Sequence, residues 1–553
     1  MSVPYAESVL DTHEVTNQPP PCAGFNAYDG DRALAEGVRR EGGAWAEPRL
    51  RALGAAAGDP EIQEEARLAN RNIPELRTFD AHGRRIDFVA YHPAWHRLMT
   101  LAYGSAVHSL AWTERRMGAH VARAALSYLW NQIEPGVGCP TGMSFAAIPA
   151  LRADPVLAAQ WEAPLLSTRY DPRPVTVAEK SGATVGMTFT EKQGGSDLRA
   201  NATRAEPAGD GAWRLFGHKW FCSAPMSDVF FTLAAVGERP TCFLVPRSLP
   251  DGTRNRFHIQ RLKDKCGNRS NASSEIEFNG TLAWRLGEEG RGIANAIRMA
   301  HLTRFDFILS SAGIMRQALG HAIHHARHRR AFQRALVDQP LMTSVLADLA
   351  LESEAALVLG LRIARAFDES AGDPEAAHFE RLLTSAGKYW VCKRAPGFVA
   401  EALECHGGIG FVEELPLARL YREAPLNGIW EGTGNVICLD VVRALGRGPG
   451  CAEALFAELD RARGADRRYD GFAAALKDDL KALAADEARA RELSERIALA
   501  VQAGLLLRHA PGFVADAFCA SRLSGGGGRQ YGVLPPGLPL RAIVARADVA
   551  GDG

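Results

Sequence analysis

Lysine is scarce in this sequence: only nine of its 64 basic residues are lysines, and the rest are arginines. Acidic residues also number 64, so no net positive charge attracts a polyanion. The ten cysteines include no CxxC pair, and no His/Cys cluster has metal-ligand spacing. We therefore expect reduced thiols and no metal site. No run approaches the roughly 18 apolar residues of a membrane span, and no signal-peptide pattern is visible. These absences predict a cytoplasmic protein without a membrane partner.

Length and composition indicate a globular protein with several structural units. At 553 residues the chain is too long for one core, and three or four units are expected. Hydrophobic residues make up 46% and aromatic residues 8%, without a disorder signature. Residues 1–50 are predicted to be an irregular arm, and helical periodicity dominates residues 61–165, including one helix over residues 103–132.

The texture changes near residue 182, where short β-rich runs separated by Gly, Asn, Asp or Pro begin. This spacing is typical of a small antiparallel barrel or sandwich. The predicted strands are Ala183–Phe189, Trp213–Gly217, Val229–Val236, Thr241–Val245, Phe257–Leu262 and Ser274–Phe278. Helical patterns return at about residue 290, and a mainly helical segment with balanced charge follows residue 450. The sequence thus predicts a mainly α protein with a central β domain.

One short stretch has unusual chemistry for a loop. Trp430-Glu431-Gly432-Thr433-Gly434-Asn435 interrupts two helical patterns, and an apolar helix follows it. Glycines allow the backbone to approach a ligand, and a helix N-terminus offers free N–H groups. Helix capping by Thr433 or Asn435 is the simpler interpretation of these residues alone.

Three further motifs carry polar or aromatic groups at strand and helix ends. Thr190 and Ser196 flank a glycine turn that would suit a phosphate or a polar-edged ring, although a plain hairpin turn is the usual explanation of such a motif by itself. Residues 217–223 end a predicted strand with aromatic residues and Ser223, and a barrel core strand is the alternative. Arg329 with Phe332 could hold a pyrophosphate and a stacked base, or could be a solvated basic helix end.

In their order and spacing these motifs resemble those of the acyl-CoA dehydrogenase family, over roughly residues 60–447. The resemblance implies a helical domain, a small β-barrel and a helical bundle, with a C-terminal helical extension. The expected boundaries are 1–180, 181–285, 286–447 and 448–553. The resemblance also implies FAD as cofactor, a homotetramer, an acyl-CoA thioester as a possible ligand, and Glu431 as the catalytic base. The expected cofactor-binding residues are Met187, Thr190, Ser196, Phe221, Cys222, Ser223, Arg329, Phe332, Trp430, Gly432, Thr433 and Asn435.

Departures from the family pattern point to one branch. Phe221 replaces the usual tryptophan, Gln333 replaces a glycine after Phe332, and Glu404 stands where many members have glutamine. Some members place the base on another helix, where this chain has Thr303, which cannot accept a proton at neutral pH. These features, with both terminal segments, resemble a bacterial branch that responds to DNA alkylation. The branch implies non-sequence-specific binding of double-stranded DNA through the C-terminal region.

The candidate DNA-binding residues are arginines that follow the Glu431 turn. Arg443 and Arg447 lie four residues apart and share a helix face, and Arg461, Arg463, Arg467 and Arg468 follow. Such side chains could contact phosphates without reading bases. Surface salt bridges to neighbouring aspartates are an equally good interpretation of the residues themselves. The family resemblance favours DNA.

Three hypotheses therefore remain. The first is an FAD protein that binds DNA in the alkylation response and retains a dehydrogenase site. The second is an ordinary acyl-CoA dehydrogenase for a short or branched acyl group, with an extension used for assembly. The third is a DNA-binding structural protein with a vestigial flavin.

Overall fold

The structure, a computed structural model, describes residues 12–482, 487–525 and 529–549. Its first part is helical, with one small hairpin. The helices are α1 (Arg32–Arg40), α2 (Glu47–Ala57), α3 (Pro60–Arg71), α4 (Pro93–Gly104), α5 (Leu110–Thr113), α6 (Ala119–Trp130), α7 (Pro135–Arg152) and α8 (Pro155–Leu166). The hairpin strands are β1 (Glu75–Phe79) and β2 (Arg85–Ala90).

Two expectations for this part were wrong in detail. Residues 1–50 are not uniformly irregular, because α1 forms where the Asp31 carboxylate caps the helix by accepting from the N–H of Leu34 at 3.0 Å. Residues 1–11 of the predicted arm lie outside the described residues. The helix predicted over 103–132 is broken twice, where Ala106 has φ of 58° and Gly118 has φ of 82°.

A closed β-barrel follows. Its strands are β3 (Val185–Thr188), β4 (Arg204–Gly209), β5 (Ala212–Ser223), β6 (Val229–Val236), β7 (Arg239–Pro246), β8 (Phe257–Leu262) and β9 (Ser273–Arg285). The barrel closes in the order β6-β4-β5-β9-β7 and back to β6, with β3 added on β6 and β8 on β9. The pairing is mainly antiparallel, but β3 runs parallel to β6 with Val185 opposite Val229. Phe230, Phe243 and Phe257 fill the interior.

The remainder of the described chain is again helical, apart from a two-residue hairpin formed by β10 (Arg330–Ala331) and β11 (Arg334–Ala335). The helices are α9 (Gly292–His328), α10 (Pro340–Glu369), α11 (Pro374–Glu404), α12 (Leu417–Glu423), α13 (Gly434–Gly446), α14 (Gly450–Asp460), α15 (Arg467–Ala482), α16 (Ala490–His509), α17 (Gly512–Phe518) and α18 (Leu540–Ala547). Within the described ranges, no helix is long and apolar enough to cross a membrane.

The C-terminal extension is part of the main hydrophobic core. Helix α16 packs against α10, α11, α13 and α14, and its side chains at Ile497, Ala500 and Leu506 have no exposed area. Helix α18 returns to the start of the chain, where Arg546 forms ion pairs with Glu354 at 2.9 Å and Glu36 at 2.6 Å. The segment therefore completes the helical bundle.

Candidate active site

The Glu431 turn is a sharp, strained connection into α13. Glu431 has φ of 52°, a left-handed conformation that is unusual for a residue with a side chain, and Gly432 continues with φ of 112°. The indole N–H of Trp430 donates to Asn427 at 3.0 Å, and its ring stacks on Phe307 at 4.8 Å between centroids. A strained conformation of this kind persists only where its surroundings fix it.

Two cations, one buried and one largely buried, bind the carbonyl oxygens of this turn. The Lys388 ammonium, on α11, donates to the carbonyl of Trp430 at 3.1 Å and to that of Gly432 at 2.5 Å. The Arg304 guanidinium, on α9, donates to the carbonyl of Glu431 at 2.8 Å. All three consecutive carbonyls are thus fixed by charged donors, which form stronger hydrogen bonds than neutral ones.

A carboxylate anchors Arg304 in turn. Asp440 accepts from Arg304 at 3.2 Å, from Arg381 at 2.7 and 3.0 Å, and from Ser385 at 2.8 Å. Arg381, Ser385 and Lys388 lie on one face of α11 at helical spacing, so a single helix supports both the turn and the first part of α13.

The Glu431 side chain is half-buried, and no described residue donates a hydrogen bond to its carboxylate. Burial raises the pKa of this carboxyl group, while the positive charges of Arg304 and Lys388 oppose the rise. A carboxylate that is desolvated, unpaired and close to cations can accept a proton from a ligand. Thr303, at the alternative base position, is buried and its hydroxyl donates to the carbonyl of Ala300 at 3.0 Å within its own helix.

Helix capping was the simpler interpretation of Thr433 and Asn435, but neither side chain caps α13. Thr433 occupies the N-cap position of α13 but makes no side-chain cap hydrogen bond. Asn435 is exposed, and its side-chain oxygen accepts from Arg491 of α16 at 2.8 Å. The C-terminal extension therefore contributes a residue to the edge of the site, which the sequence motifs do not indicate.

The glycine turn of the barrel is supported by a buried ion pair. Glu191 and Lys219, both without exposed side-chain area, lie 2.7 Å apart. Burial alone would raise the pKa of Glu191, but Lys219, Thr203 and the N–H of Ala202 lower it to about 2. The carboxylate thereby fixes the start of the turn on which Thr190 and Ser196 lie.

The turn leaves hydroxyl groups and backbone at the surface. Thr190 is partly exposed and Ser196 is exposed. A Cβ at Gly195 would lie 2.4 Å from the Thr190 hydroxyl, so only glycine allows this tight arrangement. Hydroxyl groups beside exposed backbone N–H groups are suited to bind phosphate or the polar edge of a ring.

The end of β5 presents a flat apolar surface beside this turn. Phe221 is 48% exposed, Ser223 is partly exposed, and the N–H of Trp220 donates to the carbonyl of Thr190 at 2.8 Å. The Cys222 side chain points the other way: it has no exposed area and packs in the barrel interior, so it supports the strand from inside. Met187 is nearly buried at the end of β3.

Helix α7 packs against β3 at the barrel edge and against α9, the helix that carries Arg304. Burial raises the pKa of the Cys139 thiol to about 11, with Lys265 and the Ser223 hydroxyl opposing this rise and Glu431 adding to it. One thiol therefore senses groups from both elements. The motifs did not identify Cys139 or Lys265, because their proximity to the site depends on the packing of α7 against the barrel.

Arg329 and Phe332 lie elsewhere. Helix α9 separates them from Arg304 by about 37 Å at 1.5 Å per residue. Arg329 donates to the carbonyl of Asn17 at 2.6 Å, and Phe332, with φ of 50°, is 92% exposed at the tip of the β10–β11 hairpin. Within one chain, these two residues and the Glu431 turn do not meet.

The candidate DNA-binding arginines divide into two groups. Arg443 and Arg447 are exposed, and neither has an ion-pair partner among the described residues. Arg461 instead pairs with Glu375 at 3.4 Å and Glu458 at 3.3 Å. Arg468 likewise pairs with Asp466 at 2.5 Å and Asp516 at 2.7 Å, so for these two the salt-bridge interpretation holds.

Comparisons with known proteins decide the family. The model of the adaptive response protein AidB N-terminal domain matches residues 17–172. The acyl-CoA dehydrogenase middle-domain model matches residues 186–281, and the C-terminal-domain model matches residues 290–446. AidB of Escherichia coli (strain K12) is 46% identical over 519 residues, covering 94% of this chain and 95% of the relative. The chain belongs to the AidB-type acyl-CoA dehydrogenase family.

More distant relatives agree with this assignment. Acyl-CoA dehydrogenase family member 11 of Caenorhabditis elegans is 30% identical over 400 residues, covering 69% of this chain and 64% of the relative. The crystal structure of C. elegans ACDH-11 in complex with C11-CoA gives a TM-score of 0.84 at 26% identity and covers 94% of each chain. Family membership confirms the predicted fold class and the prediction of FAD as cofactor.

Proposed function

We propose that this protein is an FAD-containing, AidB-like protein with a competent acyl-CoA dehydrogenase site that also binds double-stranded DNA in the response to alkylation damage. The geometry of Glu431 is the observation that carries the dehydrogenase part. Its carboxylate has no hydrogen-bond donor among the described residues, while three adjoining carbonyls are fixed by Lys388 and Arg304. Such a group is positioned to act as a base rather than to support the fold.

The proposed reaction removes a proton and a hydride from neighbouring carbons of an acyl thioester. Glu431 accepts the proton from the α-carbon. FAD, when bound, accepts the hydride from the β-carbon. Thr190 and Ser196 would hold the cofactor at the glycine turn, and Phe221 and Ser223 would lie against its ring. The ligand of C. elegans ACDH-11, C11-CoA, supports a CoA thioester as the class of ligand.

The base assignment is tested by anaerobic flavin reduction with butyryl-CoA and undecanoyl-CoA. Glu431→Gln keeps the size of the side chain and removes the proton acceptor, so the reduction rate should fall by about 10²–10⁴-fold. Glu453→Gln, which changes an exposed carboxylate on α14, is the matched control and should reduce at the parental rate. Equal rates in the Glu431 and Glu453 variants would show that the base is another group.

The DNA-binding part of the proposal rests on Arg443 and Arg447. Both are exposed at the end of α13, and no ion pair with a described residue competes with a phosphate. Their charges are non-specific contacts, which position a protein on the DNA backbone without reading bases. The 46% identity to AidB supports the assignment of the alkylation response.

Salt dependence of duplex binding tests this part. Replacing both arginines by glutamine should weaken binding and lower the slope of log affinity against log salt by about 2, if each contacts one phosphate. Arg214→Gln with Arg256→Gln, which removes two exposed arginines of the barrel, is the matched control and should leave the slope unchanged. If the two double variants had the same slope, this surface would not be the DNA-binding surface.

We also propose a homotetramer in which the β10–β11 hairpin contacts a neighbouring subunit. The distance between Arg329 and the Glu431 turn along α9 supports this arrangement, since the arm cannot reach the flavin of its own chain. Phe332→Ser should then lower FAD retention and assembly together in sedimentation velocity experiments, while Val156→Ser, at another exposed apolar residue, should change neither.

The second candidate function is an ordinary acyl-CoA dehydrogenase for a short or branched acyl group. The burial of α16 in the main core supports it, because the extension has a structural role that requires no DNA. Parental turnover with a short-chain thioester, combined with no duplex binding at low salt, would favour this function. A protein that binds DNA but is not reduced by any acyl thioester would favour the third hypothesis, a vestigial flavin.

A further inference from the structure

The Glu431 turn depends on residues from two helices that are distant in sequence. Three consecutive peptide carbonyls, at residues 430–432, accept hydrogen bonds from Lys388 and Arg304. Lys388 is 1% exposed, and the Arg304 side chain is 12% exposed. A carbonyl group normally finds its partner in a backbone N–H. Here the turn forms no such bonds through these oxygens, and cationic side chains replace them.

The arrangement combines two physical effects. A left-handed conformation at a residue with a side chain costs about 1–3 kcal/mol, so the surroundings must determine it. The same cations are close enough to favour the negative charge on Glu431, against the effect of burial. A neutral amide or hydroxyl donor could supply the first effect but not the second.

The other charged and titratable groups around the turn do not replace these cations. Asp440 is neutralised by Arg381 as well as by Arg304, and Asp440 would in any case repel the Glu431 carboxylate. Cys139, on α7, is a neutral thiol at physiological pH because burial raises its pKa to about 11. Lys388 and Arg304 are therefore the sources of positive charge next to the base.

We infer that Lys388 and Arg304 are positioning residues, which fix the 430–432 backbone so that the Glu431 carboxylate faces the acyl thioester and which keep that carboxylate ionised. The inference rests on the proposed role of Glu431 as the base. It goes beyond the base assignment by naming two residues outside the turn on which the activity depends.

Lys388 is the better of the two residues to test, because it binds two of the three carbonyls and Arg304 binds one. Lys388→Met removes both the donor and the charge, whereas Lys388→Gln removes the charge and keeps an N–H donor on a side chain one bond shorter. Lys393→Met, an exposed lysine on the same helix, is the matched control for loss of one positive charge. All three are studied as full-length protein with bound FAD.

The first measurement is the pH dependence of flavin reduction by butyryl-CoA or undecanoyl-CoA. We expect the acidic limb of the profile to move upward by about one pH unit in both Lys388 variants, because the loss of the cation raises the pKa of Glu431. The Lys393 variant should keep the parental profile. A loss of rate without a shift of this limb would contradict the charge role.

The second measurement needs no turnover. Hydrogen–deuterium exchange of the peptide that contains residues 430–435 should become faster in Lys388→Met, recover partly in Lys388→Gln, and remain parental in Lys393→Met. If exchange of this peptide were the same in all variants, the inferred role in fixing the turn would be wrong.

The two measurements separate failure of this inference from failure of the proposed function. If the parental protein is reduced by neither thioester, the proposed dehydrogenase function fails. The role of Lys388 in fixing the turn is then tested by hydrogen–deuterium exchange and by a double-mutant cycle of melting temperatures. In that cycle, Glu431→Gln should raise the melting temperature more in the Lys388→Met background than in the parental protein, because it removes a half-buried charge that has lost one of its two neighbouring cations. Equal increases of the melting temperature in both backgrounds would overturn the inferred role of Lys388.

Discussion

The buried ion pair of the barrel offers a quantitative test of how the glycine turn of the barrel is fixed in place. In Lys219→Met, the Glu191 carboxylate would lose the one cationic partner that it has among the described residues, at 2.7 Å, and neither side chain has any exposed area. The carbonyl of Leu233 would also lose the Lys219 ammonium, which donates to it at 2.8 Å. Leaving one charge of a buried pair uncompensated costs about 3–5 kcal/mol.

A surface pair with the same separation provides the control. Lys477 lies 2.7 Å from Asp460, but these side chains are 20% and 51% exposed, so Lys477→Met should cost less than about 1 kcal/mol. Urea unfolding followed by tryptophan fluorescence compares the two variants, and release of FAD fluorescence reports on the turn itself. The comparison isolates burial, because the distance and the substitution are the same.

The pH dependence of stability gives a second test of the Lys219→Met prediction, because the direction of the change with pH is also predicted. The folded protein lowers the pKa of Glu191, so this carboxylate stabilises the parental fold above its unfolded pKa, and the contribution is lost as pH falls toward 2. Without Lys219, burial dominates and the pKa of Glu191 rises. The stability deficit of Lys219→Met should therefore shrink as the pH is lowered from 7 to about 4.5.

A double variant decides whether the unpaired charge is the cause. Lys219→Met combined with Glu191→Gln removes both charges and should be more stable than Lys219→Met alone. The reasoning would be refuted if the double variant were the less stable of the two, or if Lys219→Met and Lys477→Met shifted the urea midpoint equally.

Three further outcomes are expected. Burial and the neighbouring Glu134 carboxylate raise the pKa of Glu423 to about 7. The free energy of unfolding of the parental protein should therefore fall by up to about 3 kcal/mol as pH rises from 4.5 to 7. Thermal melts of Glu423→Gln should lack this decrease. Gly195→Ala should reduce the FAD content of the purified protein, measured by its absorbance, because the new Cβ would lie 2.4 Å from the Thr190 hydroxyl. Removal of all residues after Arg447 should give insoluble protein in a sedimentation assay, since α16 is lost from the core; a soluble, helical product by circular dichroism would contradict the integral role of the extension.

Local sequence patterns predicted the elements whose own residues determine them. Strands β6 and β8 have the predicted bounds, Val229–Val236 and Phe257–Leu262, because apolar and β-branched runs end at turn residues on both sides. The β1–β2 hairpin was missed although its residues alternate between polar and apolar, because the two short strands lie in a segment dominated by helical periodicity. The parallel pairing of β3 with β6 was also missed, because it joins residues 44 positions apart.

The same distinction applies to the candidate site. Glu431, Thr190 and Phe221 could be recognised because each belongs to a short motif. Lys388 and Arg304 could not, because they reach the turn from helices 42 or more residues away. A lysine inside the otherwise apolar segment 386–391 was a usable signal, since a buried lysine requires a partner.

The central position of α16 has a consequence for how the protein is made. Helix α10 ends at residue 369 and α16 ends at residue 509, so their contact cannot form until 140 more residues have been synthesised. At about 5–20 residues per second, this delay is roughly 7–30 s. During that interval the apolar faces of α10 and α11 that later bury α16 are exposed on the ribosome-bound chain. A partly synthesised bundle therefore exposes apolar surface, which favours aggregation, until α16 has been made and has packed against it.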